Sequence, residues 1–102
     1  MTARVVITRH VREFLKSLAP EPRRKSWRAI KGLAEGKGDI RQLEGKLVPN
    51  WRLRVANIRV AFYETTSEGE RQLVCFFADY RATVYSVLEQ LLASGLLEQL
   101  QD

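Results

Sequence analysis

Trp51-Arg52-Leu53-Arg54-Val55-Ala56-Asn57-Ile58-Arg59-Val60-Ala61-Phe62-Tyr63 alternates apolar and basic residues, pauses for two residues, and alternates again. Period two sends successive side chains to opposite faces of a strand. With Ala56-Asn57 as the turn of a hairpin, the cross-strand partners follow by counting. Val55 faces Ile58, Leu53 faces Val60 and Trp51 faces Phe62 on a core side. Arg54 faces Arg59 and Arg52 faces Ala61 on the other, so three guanidinium groups share one face. Like charges directly across an antiparallel pair cost stability. A polyanion between them is the simplest reason to keep them, because the planar guanidinium fork donates bidentate hydrogen bonds to phosphate oxygens. The bland alternative is a solvated face whose arginines splay apart and meet nearby carboxylates.

Working outward, Arg4–Ile7 reads as a short strand and Thr8 as the N-cap of a first helix, with Val11, Phe14, Leu15 and Leu18 at i, i+3, i+4 and i+7. Pro20-Glu21-Pro22 ends that helix and opens a second, since proline is tolerated in a first turn. The second helix turns Trp27, Ile30, Leu33 and Ala34 inward, while Arg23, Arg24, Lys25, Arg28 and Lys31 crowd its outer surface. Gly36-Lys37-Gly38-Asp39 supplies turn chemistry. A short strand near Ile40–Leu43, a loop over 44–50 and the hairpin follow. The polar connection Thr65–Glu70 leads to a last strand, Arg71–Ala78, apolar on both faces and therefore central or covered by a helix. Val84, Val87, Leu88, Leu91, Leu92, Leu96, Leu97 and Leu100 then form the stripe of a terminal helix over about 82–101. The expected fold is α+β, ordered β-α-α-β-β-β-α: one domain over 1–102, a mostly antiparallel sheet packed by an N-terminal helical hairpin and a C-terminal helix.

Composition bounds the function. Hydrophobic content of 45% and charged content of 28% are ordinary for a globular chain. No apolar run is long enough for a membrane span, the N-terminus does not read as a signal peptide, and a cytoplasmic location is expected. The single cysteine, Cys75, sits in an apolar run and reads as a buried hydrophobe. The net charge of +5 is unevenly spread: residues 1–59 hold 15 Lys and Arg against 5 Asp and Glu, residues 60–102 hold 2 against 7. This suggests a basic surface for nucleic acid on one side. One histidine, His10, makes no usual metal site, and there is no Cys/His cluster, P-loop or nucleophile elbow, so neither metal nor cofactor is expected. His10, in a first helical turn, is read as an exposed surface residue. Trp27 and Trp51 fall on apolar stripes and are read as core. Tyr80 is a second candidate, after Tyr85, for stacking on a base.

The element order and hairpin resemble the RelE/ParE superfamily of toxins from toxin–antitoxin pairs. The family's leucine and glycine ahead of the hairpin are matched by Leu43-Glu44-Gly45, and its late basic segment ending in tyrosine by Arg81-Ala82-Thr83-Val84-Tyr85. RelE-like members are implied to be metal-independent endoribonucleases that cut messenger RNA on the ribosome by attack of the ribose 2′-OH on the adjacent phosphorus. ParE-like members are implied to poison DNA gyrase. The resemblance implies that Arg52 and Arg54 bind phosphate, in places where RelE has lysines. Arg59 matches the arginine that holds the scissile phosphate, Arg81 lies in the late basic segment, and Tyr85 matches the tyrosine at the 2′-OH or against a base. Arginine holds its proton too tightly to be a general base. That role falls to Tyr85, to a carboxylate such as Asp79 or Glu64, or to the ribosome. Asp79 is acidic where the RelE pattern is basic, which thins the cationic site.

The sequence therefore reads as a toxin and endoribonuclease with Arg59, Arg81 and Tyr85 catalytic and Arg52 and Arg54 on the phosphate. The alternatives are a gyrase inhibitor and a catalytically silent RNA- or antitoxin-binding module. Arg23, Arg24, Lys25, Arg28 and Lys31 are expected to meet ribosomal RNA. The implied partners are a cognate antitoxin, the ribosome and messenger RNA. Leu96, Leu97 and Leu100 are candidates for antitoxin binding or self-association.

Overall fold

The alternation at 51–62 forms the hairpin in the register obtained by counting, with Val55 opposite Ile58, Leu53 opposite Val60, Trp51 opposite Phe62 and Arg54 opposite Arg59. In the computed structural model, which describes residues 3–95, the order is β1 (Arg4–Ile7), α1 (Arg9–Lys16), α2 (Pro20–Gly32), β2 (Asp39–Gln42), β3 (Trp51–Val55), β4 (Ile58–Ser67), β5 (Glu70–Tyr80) and α3 (Val84–Ser94). Short 3-10 turns occupy Leu33–Glu35 and Gly45–Leu47. The sheet order is β1-β5-β4-β3-β2, with β1 parallel to β5 and every other pair antiparallel. The fold is α+β as expected, and its five strands are the five segments read from the sequence, one more than the order β-α-α-β-β-β-α counts.

The hairpin turns at Ala56, whose φ of +54° lies in the left-handed region. A Cβ is disfavoured there by roughly 1–2 kcal/mol. Ala56→Gly is therefore expected to raise stability by about 0.5–1 kcal/mol, after glycine's greater unfolded-state entropy is subtracted, measured as a shift of the urea midpoint.

The last strand is central and covered on both faces. Over one face, Val11, Leu15, Leu18, Ile30 and Leu33 of the helical hairpin region pack on Leu53, Val60, Phe62, Leu73 and Cys75. Over the other, Val84 and Leu88 of α3 join Leu43, Leu47, Ala61, Phe76 and Phe77. Strict alternation would send Phe76 and Phe77 to opposite faces. An irregularity in the β4–β5 ladder leaves Phe76 unmatched between the pairs Ala61–Phe77 and Phe62–Cys75, so both phenylalanines join the α3 side. Cys75 is wholly buried, and desolvation pushes its thiol up to about 12, so it stays neutral at physiological pH.

Several local expectations are corrected. Thr8 stands before α1, but its hydroxyl makes no cap and donates to the Phe76 carbonyl at 3.3 Å. His10 is half-buried rather than exposed: its ring stacks on Phe77 with centroids 4.7 Å apart, and Nε2 lies 3.3 Å from the Ala78 carbonyl. The cause is the short β1, which stops pairing at Cys75 and leaves the next carbonyls of β5 to side chains of α1 and its entry. The connection at 65–70 is mostly strand, with the chain reversing at Glu68-Gly69, both at positive φ. Among the described residues the terminal helix α3 spans Val84–Ser94 and Gly95 follows it at φ +76°; the rest of the expected span to about 101 lies outside the described residues. Leu96, Leu97 and Leu100 lie outside the described residues.

Candidate functional site

On the α3 side of the hairpin, Arg52, Arg54, Arg59, Arg81 and Tyr85 all line one cavity of about 610 Å³. Residues far apart in sequence meet because the turn between β3 and β4 organises both halves. Its Ala56 carbonyl accepts Arg59 Nη1 at 2.8 Å, and its Asn57 carbonyl accepts the backbone N–H of Arg81 at 2.7 Å. Tyr85 follows in the first turn of α3, half-buried against the Phe76 cluster.

The three hairpin arginines are not equivalent. Arg52 is buried, and its Nη1 donates at 3.0 Å to both the carbonyl and the Oδ1 of Asp39. Arg54 is half-exposed and stands 3.9 Å from the other oxygen of the same carboxylate. Arg59 is 6% exposed, with Nη1 also donating to the Ile58 carbonyl at 3.0 Å. Asp39 and the turn carbonyls thus relieve the repulsion between opposed arginines. Gly38 makes this possible. At φ +121° it admits only glycine readily, and a Cβ there would lie 2.8 Å from Leu53 Cδ1, so glycine lets β2 begin close enough to offer Asp39.

No protein-family profile and no curated protein matches the sequence. Solved structures do. A YoeB/ParE toxin from Agrobacterium tumefaciens matches with a TM-score of 0.60 at 20% identity, over 76% of this chain and 97% of that one. The archaeal RelE-RelB complex from Pyrococcus horikoshii matches at 0.56 and 25% identity, over 79% and 97%. The RelBE2 toxin-antitoxin complex from Mycobacterium tuberculosis matches at 0.57 and 18% identity, over 79% and 100%. This chain has the RelE/ParE toxin fold.

Within that RelE/ParE fold, two expected proton acceptors are misplaced for the arginine cavity. Glu64 pairs with Arg71 at 2.9 Å and borders a hollow with Leu33, Ile40 and Trp51, on the opposite face of the sheet. Asp79 on β5 pairs directly with Arg59 on β4 but does not line the cavity; its Oδ1 accepts the Tyr80 N–H at 2.8 Å and its Oδ2 the Thr83 hydroxyl at 3.0 Å. The carboxylates lining the cavity are Glu44 and Glu89, neither of which the sequence singled out. Glu89 had a legible signal: it is four residues after Tyr85 on one helix, and that spacing shares a face. Arg41 also lines the cavity and was missed. Tyr80 is exposed but packs edge-on against Phe14 with centroids 5.4 Å apart, on the helical-hairpin side. Among the described residues, no group of three or more His, Cys, Asp or Glu could hold a metal ion.

The cations of α2 divide into two kinds in this RelE/ParE fold. Arg23 Nη2 donates to the Leu18 carbonyl at 2.7 Å and to that of Lys16 at 3.3 Å, fastening α2 to the end of α1. Arg24 pairs with Glu21 at 2.6 Å. Lys25, Arg28 and Lys31 are exposed and have no ion-pair partner among the described residues. Arg23, Arg24, Arg28 and Lys31 also border a small hollow of about 320 Å³ beside Trp27, which is half-buried.

Proposed function

We propose that this chain is the toxin of a toxin–antitoxin pair and a metal-independent endoribonuclease that cuts messenger RNA on the ribosome. The observation that carries this reading is the meeting of Arg52, Arg54, Arg59, Arg81 and Tyr85 around one cavity. Preorganised guanidinium groups act on the charge that develops at phosphorus, each contributing on the order of 3 kcal/mol. Arg59 and Arg52 are held before substrate arrives, and Arg54 and Arg81 close on it from the exposed side. In the reaction the ribose 2′-oxygen attacks phosphorus, its proton passes to the Glu89 carboxylate, and the bond to the 5′-oxygen breaks. Solvent protonates the departing 5′-oxygen, leaving a 2′,3′-cyclic phosphate and a 5′-hydroxyl. Tyr85 orients the ribose, and Glu89 supplies the proton acceptor that arginines at 52 and 54 do not provide. The RelE-RelB and RelBE2 complexes contain a toxin with its antitoxin, which supports a cognate antitoxin as partner here.

Cleavage of a defined messenger RNA, free and on stalled ribosomes, mapped by primer extension without added metal, tests this reading. Cuts confined to the A-site codon support it; folded protein that cuts in neither setting sinks it. Glu89→Gln is expected to lower the single-turnover rate about 100-fold with ribosome binding unchanged. An unaltered rate would remove Glu89 from the mechanism. Arginines at 52 and 54, which hold their protons too tightly to act as general bases, favour a second reading as a gyrase inhibitor. Inhibition of gyrase supercoiling with no RNA cuts would establish that one.

A further inference from the structure

We propose that the groove between α2 and the tip of the β3–β4 hairpin holds the backbone of the RNA strand next to the bond that is cut. This deepens the RNA reading above by naming a second contact for the same strand. The groove has a volume of about 650 Å³. Lys25, Arg28, Lys31, Lys37 and Arg54 form its cationic border, over small apolar groups at Ala29, Gly32, Val55 and Ala56. Its one carboxylate, Glu35, is matched by Lys37 at 3.3 Å. Three of the remaining cations, Lys25, Arg28 and Lys31, have no ion-pair partner among the described residues, and Arg54 has only its loose contact with Asp39.

Continuity decides between an RNA strand and an acidic polypeptide. Arg54 lines both this groove and the arginine cavity, so the positive surface runs unbroken from one to the other. A strand whose scissile phosphate lies among Arg52, Arg59 and Arg81 meets Arg54 as it leaves and then enters the groove. No aromatic side chain lines the groove, so bases find no stacking platform there. Contact is therefore to phosphates, which position a strand without reading its sequence.

Each phosphate neutralised on a single strand steepens the fall of log affinity with log salt by about 0.7. The triple variant Lys25→Gln/Arg28→Gln/Lys31→Gln is expected to flatten that slope by about 2, read by fluorescence anisotropy with a 2′-O-methyl RNA that cannot be cut. It should also lose the affinity that the parent gains when the oligonucleotide is lengthened. The charge-matched variant Arg4→Gln/Arg9→Gln/Lys16→Gln alters exposed residues outside the groove and should keep both the slope and the length dependence. Melting curves of both variants report whether they are folded. An unchanged slope and length dependence in the groove variant overturns the proposal. So does a groove variant that loses binding of polyglutamate while keeping that of RNA, since the groove would then serve an acidic protein. Because the probe cannot be cleaved, parent protein that binds with the expected slopes yet cuts nothing on ribosomes supports the groove and defeats the nuclease. Failure of the parent to bind RNA defeats both.

Discussion

Replacing Arg59 with alanine is expected to lower cleavage of ribosome-bound messenger RNA by about two to three orders of magnitude, the usual effect of removing one preorganised donor from a developing anion. Arg59 is the most constrained of the cavity arginines, buried on the central strand β4 with Nη1 fixed by the Ala56 and Ile58 carbonyls. Its remaining donors need no reordering when substrate binds, which is where preorganisation gains over a mobile surface cation. Arg59→Lys keeps a charge but loses the planar fork, so it should recover only part of the rate. Both replacements strip a donor from the turn carbonyls at a stability cost of about 1–3 kcal/mol, so rates belong well below each variant's melting temperature. A folded Arg59→Ala protein that still cuts at the parental rate would refute the phosphate assignment. Kinetics must separate the step affected: a lower single-turnover rate at saturating ribosomes identifies transition-state stabilisation, and a higher KM alone identifies binding.

Phe76→Ala is expected to cost about 3–5 kcal/mol, the range for truncating a fully buried phenylalanine. Phe76 has no exposed surface and is the unmatched residue of the β5 irregularity, with Tyr63 against it and α3 above. For a domain of this length that loss corresponds to a fall in melting temperature of about 15–30 °C. The effect reaches function because Tyr85 and Glu89 belong to the helix resting on this ring. Activity below the melting point should therefore fall too, whereas Phe76→Leu should restore most of the stability and the rate together. A drop in melting temperature of only a few degrees would show that α3 is held by something other than the phenylalanine cluster.

What was legible in the sequence was whatever depended on the pattern of apolar residues. The hairpin register and its two chemically distinct faces followed from alternation, the coverage of β5 from an apolar run that does not alternate, and the structure reproduces them. What escaped was whatever depended on neighbours brought in by the fold. Asp39 reads as turn chemistry until β2 pairs with β3 and sets it opposite Arg54. Glu64 and Asp79 are plausible bases by residue type alone, but one lies on the opposite face and the other accepts from Tyr80 and Thr83 outside the cavity. His10 sits at a nominally exposed position of α1, and only the early end of β1 explains why its ring covers Phe77. Arg23 and Arg24 look like the rest of the α2 cations in composition and differ from them solely in having carbonyls and a carboxylate within reach.

The lengths of the strands bear on how this protein behaves at high concentration. The two strands at the open margins of the sheet, β1 and β2, are only four residues each, whereas β4 and β5 inside have ten and eleven. Long flat margins invite strands of another molecule to add on, and short or charged ones do not. β2 offers Asp39 and Arg41 along its exposed length, and β1 begins with exposed Arg4. Where β4 and β5 outrun their neighbours, they carry Glu64, Glu70 and Arg71, and the turn that joins them carries Glu68, all exposed. Short and charged margins of this kind make poor templates for edge-to-edge pairing between copies of the chain.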